Sequence, residues 1–398
     1  MKYILLVADG MADYPLKELG ERTPLEAART PNLDFIAKHG RLGQVKTIPD
    51  KMNPASDVAN ISILGYNPRE CYTGRGPLEA ANMGVELENG DVAFRCNLIT
   101  ASSDNLLDYS AGHISSKEAA ILIKFIDQNL GTERIKFYPG VSYRHLMLVK
   151  AGADDDLQDL ACKPPHDIIG QSIRANLPKG KNAQILVKLM QDSRDLLEKH
   201  EINQVRVDLK ENPANMIWLW GQGSKPALVS FEQKYGLSGS VISAVDLLKG
   251  LGRILGLDVI NVPGATGYYD TDYEGKAKYA LASLQKKDFV FVHVEAPDEA
   301  GHNGDLREKI LAIERFDQLI VGPILAAFKR KRNFRVLVLP DHATPISLRT
   351  HSSDIVPFGI FGKDITGRGF LNYSEKEAQK SDLYFDKGHE LMDYFIKD

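Results

Sequence analysis

The chain has 398 residues, 43% hydrophobic and 26% charged, with a formal net charge of −4. This is ordinary globular composition, long enough for two domains, without the broad basic face that would suit nucleic acid. Three widely spaced cysteines, Cys71, Cys96 and Cys162, fit neither a disulfide framework nor a zinc cluster, and no apolar run reaches membrane-spanning length, so a cytoplasmic protein is expected.

In chain order, Lys2–Ala8 (KYILLVA) reads as a buried strand, too short for a signal peptide, whose carboxyl end delivers Asp9-Gly10. Thr30-Pro31 opens a helix to about Lys38, with the threonine as N-cap and the proline at the first helical position. Asn53-Pro-Ala-Ser56-Asp57 then places a serine ahead of a helical run from Val58 to Leu64. Ser56 is there either a helix cap or, because N–H groups at such an end cradle phosphate, the carrier of a phosphoryl group.

From about Asp91 to Ile173 the texture changes to short, turn-punctuated segments rich in Arg and His, around a helix from Ser116 to about Asn129. This block reads as a smaller inserted α+β domain, residues 91–181, within a core made of residues 1–90 and 182–398. The acidic run Asp154–Asp156 is most simply a solvated turn. A helix Ala183–Lys199 and a strand Met216–Trp220 are expected to return the chain to the main sheet, followed by a helix Ser243–Leu255 and a strand Asp258–Val262. Gly250-Leu-Gly252-Arg-Ile-Leu-Gly256 is not a dinucleotide loop, since its spacing is wrong and it follows a helix. Lys329-Arg-Lys-Arg332 suits a helix C-terminus better than a nucleic acid. The chain has no P-loop signature, which counts against an ordinary nucleotide kinase.

Phe289–Val294 is a second apolar strand, running directly into Glu295-Ala-Pro-Asp298-Glu-Ala-Gly-His302. Asp298 and His302 are four apart, so one helical turn sets them on the same side. A third strand, Val336–Leu339, delivers Asp341-His342, and His351 follows after a loop. Open α/β sheets bind ligands beyond the carboxyl ends of their strands. One Asp/His pair is as readily a structural ion pair; two such strand ends indicate metal. Mixed oxygen and nitrogen donors suit zinc or manganese, and two ions about 4 Å apart would clamp the attacking and leaving oxygens of a phosphoryl displacement.

Val7-Ala-Asp9-Gly10, Thr30-Pro-Asn-Leu-Asp34, Pro54-Ala-Ser56-Asp57, Val294-Glu-Ala-Pro-Asp298-Glu-Ala-Gly-His302, Pro340-Asp341-His342 and Thr350-His351 run from one end of the chain to the other. Together they resemble the cofactor-independent phosphoglycerate mutases of archaeal type, within the alkaline phosphatase superfamily. The resemblance implies an α/β phosphatase-like core, a mostly parallel sheet flanked by helices, interrupted by a phosphotransfer domain that caps the substrate. It implies one ion on Asp298, His302 and His351, and another on Asp9, Asp341, His342 and Ser56, the nucleophile. Manganese and zinc are the first candidates, with magnesium a further one. The implied activity interconverts 3-phosphoglycerate and 2-phosphoglycerate through phosphoserine, without bisphosphoglycerate. Tyr109–His113 and Trp218–Gly223 also resemble a subgroup proposed to phosphorylate homoserine, so that reaction and a metal-dependent phosphatase are the alternatives. The partner is then a small phosphorylated molecule, not nucleic acid or membrane. Its carboxylate and phosphate suit bidentate arginine, making Arg75, Arg95, Arg144 and Lys276 the expected binding residues, with His113 and His166 as proton shuttles.

Overall fold

Three apolar runs, each ending in a carboxylate segment, become the middle of an eight-stranded sheet. The structure, a computed structural model, describes residues 1–152, 156–328 and 333–397. Asp154 and Asp155 of the acidic turn, and the basic run at 329–332, lie outside the described residues. Lys2–Ala8 runs parallel to Phe289–Val294 on one side and to Phe334–Leu339 on the other. Gly239–Ile242 and Asp258–Val259 extend the sheet in parallel beyond Phe289–Val294. Val356–Gly362 and Arg41–Val45 continue the other side antiparallel, with Tyr384–Phe385 at that edge. The central strands are buried on both faces, which explains why they read as continuous apolar runs rather than alternating ones. Each fully buried Val, Leu or Phe there contributes about 1.5–3 kcal/mol.

Register decides what this sheet can do. Val7 pairs with both His293 and Leu339, and Ala8 with Val294. The three strands therefore end level, and the segments carrying Asp9, Asp298 and Asp341 leave the sheet side by side.

The chain divides into two compact units, residues 1–72 with 227–398, and residues 73–226. The joints at 91 and 181 read from the sequence fall inside the second unit. The helix Arg75–Met83 packs on the strands Val92–Ser102 and Met216–Ser224, and Ala80 and Leu87 share a buried cluster with Ala93, Leu146 and Leu148. Met216–Ser224 does not return to the main sheet, contrary to expectation. It pairs antiparallel with Val92–Ser102, which also pairs with Arg144–Val149 and Asn105–Asp108. Ile135–Val141 completes this second, five-stranded sheet. The helices Ser116–Leu130 and Ala183–Leu197 bury Leu122, Ile126, Leu186 and Met190 in the same unit's core. In the first unit, the helix expected at Ser243–Leu255 spans Asp246–Ile254, because Ser243 Oγ accepts the Val245 N–H and holds that entry as a turn. No helix among the described residues is long and apolar enough to cross a membrane.

Behind the strand ends a buried ion pair ties two loops to the helix Leu306–Phe316. Lys309 Nζ lies 2.7 Å from Asp13 Oδ2 and donates to the Thr344 carbonyl at 2.7 Å, with both side chains fully buried. Asp13 in turn accepts the Ile346 N–H at 3.1 Å. Removing one partner of such a pair strands the other charge, at a cost of about 3–5 kcal/mol. Lys309→Ala should therefore lose about that much stability in urea titration, and a loss under about 1 kcal/mol would show the pair to be idle.

Candidate active site

Each of the three strand ends delivers an aspartate into one buried space: Asp9 is 1% exposed, Asp298 5% and Asp341 0%. Gly10 makes the convergence sterically feasible. Its φ is +60°, and a Cβ there would sit 2.6 Å from both Asp298 Oδ1 and Thr344 Oγ1. Its N–H instead donates to Asp341 Oδ1 at 3.2 Å. Asp341 is held further by its own neighbour, the His342 N–H at 2.9 Å, and by Asn60 Nδ2 at 2.9 Å. Asp298 and His302 share one face of the helix Ala296–Asn303, Oδ2 to Nε2 3.2 Å, as their i, i+4 spacing requires.

The histidines are oriented from outside. His302 Nδ1 faces the Arg349 carbonyl at 3.1 Å and His351 Nδ1 the Pro54 carbonyl at 3.3 Å. A carbonyl only accepts, so each Nδ1 carries a proton and each Nε2 faces the centre. The two Nε2 atoms are 2.9 Å apart, and Asp298 Oδ1 is 3.4 Å from that of His351. Thr344 Oγ1 donates to Asp298 Oδ1 and so accepts from His342 Nδ1, 3.2 Å away. His342 Nε2 then faces Ser56 Oγ at 3.2 Å and Asp9 Oδ1 at 3.4 Å. Three carboxylates this close call for positive charge among them.

The electrostatics carry the same signature. Burial, then Asp341 and Asp298, pushes Asp9 well above the usual carboxylate range. Burial also raises Asp298, but the hydrogen bonds from His302 and His351 outweigh it and hold that carboxyl well below its ordinary value. Bonding to Asp298 lifts His302 to about 9. Burial lowers His342, and brings His293 down to about 4.

Two groups of donor atoms, each within 4.8 Å, can hold a metal ion among the described residues: Asp298, His342 and His351, and Asp9, His293 and Asp341. They fit divalent ions, being oxygen and imidazole donors, and two buried donor atoms, Asp9 Oδ1 and His293 Nε2, have no hydrogen-bond partner. The structure thus draws together all seven residues expected at the centre, with His342 lying between the two groups. Ser56 is not a helix cap. The N-cap of the helix Ser56–Ile63 is Ala55, which makes no side-chain cap bond, and Ser56 is the first helical residue.

Of the remaining expected residues, Arg75, Arg95, Arg144, His113 and His166 belong to the second unit and Lys276 to the first. Within the second unit the Arg95 guanidinium sits 4.4 Å over the Trp220 ring and that of Arg75 at 5.9 Å. The His166 ring meets Trp220 at 5.4 Å and Tyr109 at 6.1 Å. Arg144 and His113 both pack on Tyr143, at 5.6 and 5.9 Å, and Tyr143 contacts Tyr109. These five residues thus form one continuous cationic and aromatic cluster. Arg95 is already paired with Glu79 at 2.9 Å. Lys276 does not join it: the side chain is fully buried in the first unit and donates to the His293 carbonyl at 3.0 Å.

Sequence reasoning missed His293, Asn60 and Thr344. Only His293 left a signal, an imidazole inside an otherwise apolar strand.

The sequence model of the family described as 2,3-bisphosphoglycerate-independent phosphoglycerate mutase matches residues 37–203. A relative of that description from Methanosarcina acetivorans is 53% identical across the whole of both chains. One from Geobacter sulfurreducens, described as a probable such mutase, is 50% identical, again over both full lengths. Among solved structures, a Pyrococcus horikoshii protein is 32% identical with a TM-score of 0.83, covering 99% of this chain and 96% of that one. The cofactor-independent phosphoglycerate mutase of Thermoplasma acidophilum is 28% identical with a TM-score of 0.69, over 100% and 99% of the two chains. The chain belongs to the family of 2,3-bisphosphoglycerate-independent phosphoglycerate mutases.

Proposed function

We propose that the chain is an isomerase that interconverts 3-phosphoglycerate and 2-phosphoglycerate, by two successive transfers of one phosphoryl group through Ser56. The observation that carries the mechanism is Ser56 itself, a serine free of capping duty with its Oγ 3.2 Å from His342 Nε2 at the edge of the carboxylate centre. In the first transfer Oγ attacks phosphorus and the bond to the substrate's 3-oxygen breaks. In the second the 2-oxygen of the retained glycerate attacks the phosphoserine and frees Oγ, so no phosphate or water is consumed.

Two divalent ions are assigned to the centre, manganese or zinc before magnesium, given its imidazole donors. Asp298, His302 and His351 would hold one, and Asp9, Asp341, His342 and Ser56 the other. When bound, they supply Lewis acidity that lowers the pKa of the serine hydroxyl and neutralises phosphoryl charge. The chain's own residues do the rest. Gly10 and Asn60 fix Asp341, Thr344 fixes Asp298 and His342, and Asn60 Nδ2 also holds the Ser56 carbonyl at 2.8 Å. Recognition of the substrate's carboxylate and phosphate is assigned to Arg75, Arg95 and Arg144, with His113 and His166 beside them. Bidentate guanidinium is the natural partner of both groups. Holding glycerate and excluding water between the transfers is the role proposed for the second unit, since exposed phosphoserine would hydrolyse. Lys276, as it lies, serves the strand that carries His293. Three free cysteines are consistent with a reducing cytoplasm.

Metal-loaded protein given 3-phosphoglycerate alone should produce 2-phosphoglycerate in phosphorus NMR, without inorganic phosphate. Phosphohomoserine formed from homoserine and ATP, with phosphoglycerate untouched, would overturn the assignment. Inorganic phosphate as the main product would make the chain a phosphatase.

Removal of metal with EDTA should abolish this turnover, and Mn²⁺ or Zn²⁺ should restore it. Full activity in a metal-free preparation would contradict the centre's role. Ser56→Ala should still bind metal yet lose several orders of magnitude in rate, as removal of a covalent nucleophile does. Mass spectrometry of wild-type enzyme quenched with substrate should place the phosphate on the peptide containing Ser56. An active Ser56→Ala enzyme would exclude the phosphoserine.

A further inference from the structure

We infer that His293 is a fourth histidine ligand of the centre, binding through Nε2 the ion held by Asp9 and Asp341; this rests on the two-ion reading above. His293 is fully buried, the penultimate residue of the strand Phe289–Val294 and paired in register with Val7. Side chains alternate along a strand, so His293 turns to the opposite face from Val292 and Val294, which belong to the main core. On that face its donor atom lies within 4.8 Å of those of Asp9 and Asp341.

The geometry there is that of a shared ligand shell rather than a hydrogen bond. His293 Nε2 is 3.1 Å from Asp9 Oδ2, yet it makes no hydrogen bond, and Asp9 Oδ1 is also without one. Two donors bound side by side to one ion at about 2.0–2.2 Å are themselves roughly 3 Å apart, each aimed at the ion and not at the other. An unmade buried hydrogen bond is costly; His145 also leaves its Nε2 bare, but of the two only that of His293 is grouped with two carboxylates.

The far side of the ring matches the other histidines. His302, His351 and His342 each set Nδ1 against an outer partner, namely the Arg349 carbonyl, the Pro54 carbonyl and Thr344 Oγ1. His293 Nδ1 does the same with Ser243 Oγ at 3.4 Å, and Ser243 is itself held by the Val245 N–H at 3.0 Å. Such outer partners fix the tautomer and aim Nε2 at a metal. Lys276 adds a second brace, donating to the His293 carbonyl. This imidazole joins that of His342 beside Asp9 and Asp341, and a mixed oxygen and nitrogen shell suits manganese or zinc.

The test uses the full chain, labelled with ¹⁵N-histidine and loaded with ¹¹³Cd²⁺. Four histidines should show scalar coupling between Nε2 and cadmium, one of them missing in His293→Gln. Calorimetric titration with Cd²⁺ should find two ions on the wild type, and in His293→Gln one of them weakened at least about ten-fold with the other unchanged. Two bound ions with only three coupled histidines would overturn the assignment, and that count is made on the wild type, whatever the folding of the variant. Wild-type affinity for both ions in His293→Gln would overturn it as well. A wild type that binds fewer than two Cd²⁺ would bring down the two-ion reading itself, and this ligand with it.

Discussion

Three carboxylates buried within a few ångströms of one another are the constraint on which the rest of this structure turns. Asp9, Asp298 and Asp341 are each at most 5% exposed, and a buried anion costs several kcal/mol unless it is compensated. The chain compensates locally where it can, with the Gly10 and His342 N–H groups and Asn60 on Asp341 and Thr344 with His302 and His351 on Asp298. Asp9 is left with an unpartnered oxygen, and its carboxyl is pushed upward by burial and by the other two. A proton or a bound cation balances that charge, so the same crowding gives the centre affinity for metal.

The sheet produces this crowding deliberately. Adjacent parallel strands in level register bring three chain segments out at the same height, and a glycine with positive φ lets the first segment pass beneath Asp298. The scaffold behind is stiff, since Lys309 joins Asp13 to Thr344, and Thr344 reaches both Asp298 and His342. A serine at the first position of a helix anchored through Asn60 to Asp341 is then placed by the same residue that holds that carboxylate. Chemistry that needs a poorly nucleophilic hydroxyl to attack phosphorus depends on that kind of preorganisation.

Much of this was legible in the sequence because the signals are local. Lys2–Ala8 and Phe289–Val294 have the bounds their apolar runs predict, and Thr30-Pro31 starts a helix where expected. Aspartates and histidines just beyond strand ends announce a site through the topology rule for α/β sheets. What escaped is non-local or disguised. Nothing in Met216–Ser224 says which sheet it joins; its partner, Val92–Ser102, lies more than a hundred residues away. The helix Arg75–Met83 reads as core because its neighbours in the second unit, Leu146 and Leu148, lie more than sixty residues on in the sequence. His293 was hidden within a hydrophobic run, where periodicity registers burial and not chemistry. Lys276 resembled an anion-binding cation, but burial turned its ammonium to the main chain of its own unit.

The account stands or falls on whether the phosphoryl group visits Ser56. Turnover of 3-phosphoglycerate made chiral at phosphorus with three oxygen isotopes reads this directly, since each in-line displacement inverts phosphorus. Two transfers through the serine predict 2-phosphoglycerate with retained configuration. Inversion would mean a single direct displacement, and would contradict the role given to Ser56.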